Sequence, residues 1–343
     1  LIDLYRKNDM SDTMTYFDLL DNLILGYHLT GDYLTESSLF EEYETLSESL
    51  GQKESEEYCS YLGLKAEALT FKVSYAETED SIFGQVINAA FAEITEKTEG
   101  HITVTYYGQN ELDCYADSVT QAANGSLWMG LEEPSLFADY VGDCATLIGP
   151  MLYNSDAEYN HVMDSDIVAD IKTRLAEENI HVLDTHYSFG FRSVVTNRDI
   201  KTPADLNGVK LRATSSALFT KTVECLGAIP TPMSFTECLS AISSGVVEGF
   251  EGSTSTLAGA GAPYELVKKV ALTNHLIATR WLFMPEDLYQ SIPEKWRNII
   301  DECAVECGKW EQEMCANDEA TQIENLKAHG VTWNEVDLDA FTA

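Results

Sequence analysis

The alternation of strand-like and helix-like segments predicts an α/β fold of two lobes, joined by strand hinges, braced by a long helix and preceded by a small helical unit. Three patterns carry this expectation. From Leu69 the chain alternates period-two apolar runs with amphipathic helical stretches. No Pro/Gly/Ser-rich linker separates its halves, which argues against independent beads. A single helical pattern runs from Pro293 to about Ala328. Such strand–helix–strand order requires parallel strand pairs with helices on the sheet faces. Crevices in these sheets open beyond the carboxyl ends of strands.

Residues 1–68 read as an accessory unit. Segments 13–29, 35–50 and 53–62 place apolar residues at helical spacing, as in Phe17, Leu20, Leu23 and Ile24, then Leu39, Tyr43, Leu46 and Leu50. Gly31 and Gly51 punctuate them. These apolar faces need cover from the next lobe, a second copy or a partner, so self-association through residues 1–68 is one of three expected ways to cover them. The first lobe strand alternates Phe71, Val73 and Tyr75. Ser81 then suits the cap of a helix with Phe83, Val86, Ile87, Ala90, Phe91 and Ile94 on one face. Ile102, Val104 and Tyr106 form a second strand, a polar helix near 115–123 stops at Asn124–Gly125, and Leu127 to Leu131 reads as a third strand. Beyond these, strands near 181–186, 191–197, 209–213, 246–250 and 270–275 alternate with helices near 215–226 and 235–244. The expected division is 69–189 plus 278–317 for the first lobe and 190–277 plus 318–343 for the second.

Composition excludes several function classes. The chain has 343 residues, enough for about two domains. It carries 57 acidic against 21 basic side chains, a formal net charge of −36, which repels nucleic acid and anionic headgroups. Against that field, any arginine in a cleft stands out as a local positive site. No apolar run approaches the ~18 residues of a membrane span. The apolar patch from Leu19 to Leu29 is broken by Asp21, Asn22, Gly26 and His28 and lacks the flanks of a signal peptide. A chain that begins at Leu1 is compatible with a leader already removed. The eight cysteines form no CxxC pair, and the seven histidines show no HExxH spacing. There is no G-x-S-x-G elbow, P-loop or GxGxxG, and Gly259-Ala260-Gly261-Ala262 lacks the third glycine of a dinucleotide turn. The expectation is a protein without catalytic chemistry, cofactor or metal.

The most informative stretch is Lys201 to Gly249. It opens with Lys201-Thr202-Pro203-Ala204-Asp205-Leu206-Asn207-Gly208-Val209-Lys210-Leu211-Arg212, continues through Pro230-Thr231-Pro232-Met233-Ser234-Phe235, and closes with Ser244-Gly245-Val246-Val247-Glu248-Gly249. Arg212 ends a short strand just before a helix cap at Ser215 or Ser216, where a side chain projects into a crevice. A guanidinium presents a planar fork of donors that matches a carboxylate, although an arginine so placed also commonly serves as a structural ion pair. The stretch resembles the core of the solute-binding proteins of TRAP transporters, the DctP type. The likeness runs from roughly Leu69 to Val336, helped by Gly149-Pro150-Met151-Leu152-Tyr153 and Thr273-Asn274-His275.

That resemblance implies a periplasmic-binding-protein-like, type II-like fold, and roles for particular residues. Arg212 is the implied anchor for a solute carboxylate. Arg192, in Gly190-Phe191-Arg192-Ser193, matches a second carboxylate contact of sialic-acid-binding members. Phe235 matches an aromatic packed on solute, Tyr75 a position lining the cleft from the other lobe, and Glu133 an acidic cleft residue. After the Val246–Gly249 turn, Glu251 keeps the family glutamate, but Gly252 replaces an asparagine that contacts solute, so the pocket is expected to gain space there. The implied function is an extracytoplasmic receptor that takes an organic anion by its carboxylate and delivers it to a membrane permease. A sensory or adaptor module built on the same lobes is the alternative.

Overall fold

The computed structural model describes residues 16–20, 22–24, 39, 42–43, 45–50, 69–74, 81–107, 111–112, 114–126, 128–259 and 261–342. Tyr75 and the expected helix 53–62 lie outside them. In the leading unit, the described residues at 16–20, 22–24 and 45–49 are helical. Tyr16, Phe17, Leu20, Ile24, Leu39, Tyr43 and Leu46 bury against one another, with the Phe17 and Tyr43 rings stacked at 4.6 Å. Part of the expected apolar face is therefore covered from within the unit.

The strands are β1 (Leu69–Ser74), β2 (Ile102–Tyr107), β3 (Gly130–Glu132), β4 (Ile180–Thr196), β5 (Lys210–Ala213), β6 (Ile229–Pro232), β7 (Gly249–Gly252), β8 (Lys269–Pro285) and β9 (Thr332–Asn334). The α-helices are α1 (Ile82–Lys97), α2 (Ala116–Ala123), α3 (Asp156–Met163), α4 (Asp166–Glu177), α5 (Ala217–Cys225), α6 (Phe235–Ser243), α7 (Thr254–Ala258), α8 (Glu286–Ser291), α9 (Glu294–Ala328) and α10 (Leu338–Thr342). Ser81 caps α1 as expected, accepting the Gly84 N–H at 3.0 Å. Val86, Ile87, Ala90, Phe91 and Ile94 form its buried face.

One mixed sheet runs through both lobes in the order β3-β8-β4-β7-β5-β6, with β9 beside β8; β1 and β2 pair in parallel and meet β3's approach through a Lys72–Trp128 bridge. The antiparallel strands β4 and β8 have 17 residues each, about 55 Å of extended chain, so each serves both lobes. β3 pairs with the Phe283 end of β8, whereas β7 pairs with the Ser193–Thr196 end of β4. Between those ends the β4–β8 register shifts repeatedly, including between Ser188 and Phe191, and Gly190 takes φ +90. A bulged ladder with a left-handed glycine is locally bent and less tightly paired.

Among the described residues the largest core joins the two lobes, packing Phe137, Trp281 and Phe283 with Val194, Leu211 and Phe219, and two smaller cores lie towards the ends. Phe71, Ile87, Phe91 and Leu282 cluster with Ile300, Cys303 and Cys307 of α9 at one end. Val195, Phe250, Leu257 and Val270 cluster with Leu326 of α9 at the other. At ~1.5 Å per residue the 35 residues of α9 span about 52 Å, and burial at both ends makes this helix the brace the sequence predicts.

Some details differ from expectation. The two strands expected at 181–186 and 191–197 are one, β4, because Gly190 sits in a bulge rather than a break. The strand expected at 270–275 continues to Pro285, and the 246–250 strand begins only at Gly249. The pattern does not single out α3 and α4, whose buried faces are narrow: Tyr159 and Met163, then Val168, Ile171 and Leu175. The seven described cysteines form no disulfide.

Candidate functional site

A cavity of about 530 Å³ lies between the two ends of the sheet. Strand β5 supplies a buried arginine to its wall. β5 is held in parallel between β6 and β7, with Arg212 facing Thr231 and Phe250 across the ladders. Arg212 is buried, at 3% exposure, yet lines the cavity. Its Nε donates to the Met233 carbonyl at 2.9 Å and its Nη1 to Thr214 Oγ1 at 3.3 Å. The Phe235 ring centre lies 5.5 Å from the guanidinium carbon, within reach of a cation–π attraction. Among the described residues no carboxylate pairs with Arg212.

Arg192 lines the cavity in a different state. Its Nε and Nη2 donate to the Glu251 carboxylate at 2.5 and 2.7 Å, and Nη2 also to the Glu251 carbonyl at 3.0 Å. Glu251 is fully buried, and His275 Nε2 stands 3.6 Å from its Oε2. The other ring nitrogen of His275 meets Thr273 Oγ1 at 2.8 Å. Burial pushes the Glu251 carboxyl up, but Arg192 and His275 outweigh it and hold the group down at about 2. Two of the three Arg192 nitrogens are therefore committed to the protein itself. Arg192 thus forms an ion pair at the hinge strand before it meets any solute, and Glu251, expected among the site residues, lies outside the cavity lining as its counter-ion.

Glu133 lines the cavity opposite, its carboxylate oxygens 3.0 and 2.9 Å from Ser135 Oγ. Burial raises it to about 7 against the opposing pull of Ser135 and Arg192. Phe235 lines the cavity and meets Phe250 edge-on at 5.5 Å. Gly252 departs from expectation. It is buried and outside the cavity lining. A Cβ there would meet the Phe250 ring at 3.0 and 3.2 Å and Thr256 Cβ at 3.2 Å. The space released by the missing side chain is filled by neighbours.

Sequence reasoning does not reach several lining residues. Tyr115 lies where no motif marks it, and Phe219 sits in the expected 215–226 helix between the motif segments. Arg280 on β8 brings a third arginine to the cavity, 5.3 Å over the Phe189 ring. Helix α9 turns one face to the cavity through Glu311, Cys315, Asp318, Gln322 and Asn325. Their spacing by threes and fours is a visible signal, a polar stripe on an otherwise bracing helix.

Comparisons agree with this architecture. The family model for bacterial extracellular solute-binding protein, family 7 (DctP) matches residues 73–343. A TRAP periplasmic solute-binding protein from Desulfovibrio salexigens, crystallised with diglycerolphosphate, is 34% identical, with TM-score 0.78 over 80% of this chain and 88% of that one. One from Fusobacterium nucleatum with bound sn-glycerol-3-phosphate is 31% identical, with TM-score 0.78 over 80% and 89%. One from Sulfitobacter with bound β-D-galacturonate is 26% identical, with TM-score 0.75 over 80% and 91%. A two-lobed α/β frame, an arginine at the end of β5 and a match across most of the chain lead to one conclusion: this protein belongs to the family 7, DctP-type, extracellular solute-binding proteins that serve TRAP transporters.

Proposed function

We propose that this chain captures a small polyhydroxylated acid between its lobes, with Arg212 on the acid group, and hands it to a TRAP permease from the extracytoplasmic side. Arg212 carries the reading: a buried cation in a strongly acidic protein, facing a cavity, with no carboxylate partner among the described residues. A buried charge is costly unless paired and hydrogen-bonded, and an anionic solute supplies the pair in bidentate form. The protein adds no chemistry of its own. The lobes divide at 189/190 and 277/278, with 1–68 as an accessory unit; the bulged β4–β8 ladder and Gly190 support a hinge there. Solute stabilises the closed state because only that state contacts it from both walls.

A second chemistry for the acid group has specific support. Two solved relatives above 30% identity hold glycerol phosphates, whereas the Sulfitobacter protein holds a uronate. A phosphate monoester suits the same guanidinium fork. A thermal-shift screen of sugar acids, small carboxylic acids and glycerol phosphates separates the two. Ligand at about 100 times its dissociation constant adds about 2.7 kcal/mol of stability. Hits confined to neutral sugars or cations would reject the reading.

A further inference from the structure

Two consecutive glutamates on one wall of the cavity each support a hydroxyl that reaches the opposite wall. Glu132 ends β3 and Glu133 follows it in extended backbone, so their side chains leave in opposite directions. Buried Glu132 accepts the backbone N–H of Tyr115 at 2.5 Å. Tyr115 stands at φ +59, ψ −135, a backbone region that side chains other than glycine avoid and that persists only when the surroundings impose it. The effect is to aim the Tyr115 phenol across the cavity, where its oxygen accepts the N–H of Phe235 at 3.2 Å. Phe235 opens α6, so that N–H is one of the donors a helix start leaves without an internal partner.

Glu133 does the equivalent through Ser135. The Ser135 hydroxyl donates to Glu133 and lies 2.9 Å from Ser216 Oγ. Ser216 is the N-cap of α5, its Oγ accepting the Phe219 N–H. Both contacts thus end on helix starts beside Arg212, whose own Nε donates to the Met233 carbonyl just ahead of α6. Arg212 is followed within a few residues by α5 and stacks near the Phe235 ring.

We propose that Tyr115 and Ser135, positioned by Glu132 and Glu133, form a two-point clasp that holds the lobes together over the solute at Arg212. The proposal rests on the lobe division and binding reading above. The hydroxyls act through backbone and cap atoms of the far wall. Their removal should change the closed population and leave the acid anchor in place.

The test uses Tyr115→Phe and Ser135→Ala, singly and together, each removing one hydroxyl without adding bulk, with Ser135→Thr as the variant that keeps it. Small-angle X-ray scattering of ligand-free protein is the first readout. The double variant should scatter as a more open particle than wild type, the single variants should fall between, and Ser135→Thr should match wild type, all with unchanged circular dichroism. Superimposable curves for wild type and double variant overturn the clasp. The second readout is stopped-flow binding of β-D-galacturonate and of sn-glycerol 3-phosphate. For each of these that binds wild type, the double variant should release it about tenfold faster, the loss of roughly 1.4 kcal/mol, with association unchanged. Slower association with unaltered release also overturns the proposal. If neither probe binds, the binding reading is at fault for these acids, and the scattering comparison still decides the clasp.

Discussion

The Glu251 carboxylate holds the Arg192 guanidinium at two points, 2.5 Å at Nε and 2.7 Å at Nη2, at a site where Glu251 has no solvent exposure. The pair joins β7 to β4 beside the bulged stretch of the sheet. Arg192 therefore meets the cavity already paired, whereas Arg212 has no carboxylate partner among the described residues.

Breaking that pair from one side should be expensive. Glu251→Leu strands a buried guanidinium and should destabilise the protein by about 3–5 kcal/mol, whereas Arg192→Met with Glu251→Leu should recover much of the loss. Urea unfolding of the three proteins measures it. The Glu251 carboxyl is held down at about 2 from an ordinary 4.5. Its contribution is therefore complete above about pH 4.5 and is lost as pH falls towards 2, a span worth roughly 3 kcal/mol. Acid unfolding of wild type should steepen in that window and not between pH 5 and 7.

Glu311 predicts the opposite slope. This buried carboxyl on α9 accepts the Ser188 N–H at 3.0 Å and lies 3.3 Å from Cys315 Sγ. Burial raises it to about 8, against the pull of Cys315 and the Ser188 N–H. A carboxyl raised on folding favours the native state below its unfolded value of about 4.5 and loses that advantage as pH rises through about 8. The melting temperature of wild type minus that of Glu311→Gln should therefore fall between pH 5 and 8. A difference that rises over that range would contradict burial as the dominant influence on Glu311.

Gly252 separates packing from specificity. A side chain there meets Phe250 and Thr256 before it reaches the cavity. Gly252→Asn should lower stability by about 1–3 kcal/mol through overpacking. Affinity for any acid found in the screen should stay within about threefold, under 1 kcal/mol. Differential scanning calorimetry with titration checks both halves.

The frame of the molecule is legible in its sequence, and so is the place of Arg212 on the cavity wall. Period-two runs, the Pro293 helix start and the segment ending in Arg212 are local signals, and the structure keeps them. The state of Arg192 is not legible. Its counter-ion is 59 positions away at Glu251 and meets it only because β7 pairs with β4. Gly252 misleads for a related reason, since a missing side chain says nothing about which neighbour fills the gap. Gly190 reads as a break because a bulge and a strand end carry the same residue. Tyr115 has no motif at all, and its importance lies in a backbone angle and a contact across 120 positions.

The most direct measurement is isothermal titration of wild type, Arg212→Lys and Arg212→Ala with the acid that most stabilises wild type in the screen. Loss of a buried bidentate contact should abolish measurable binding in the alanine variant. The lysine variant should fail nearly as badly, because a point charge cannot replace a planar fork. Both variants should remain folded. Wild-type affinity in Arg212→Lys would contradict the fork, and wild-type affinity in Arg212→Ala would contradict the placement of the solute.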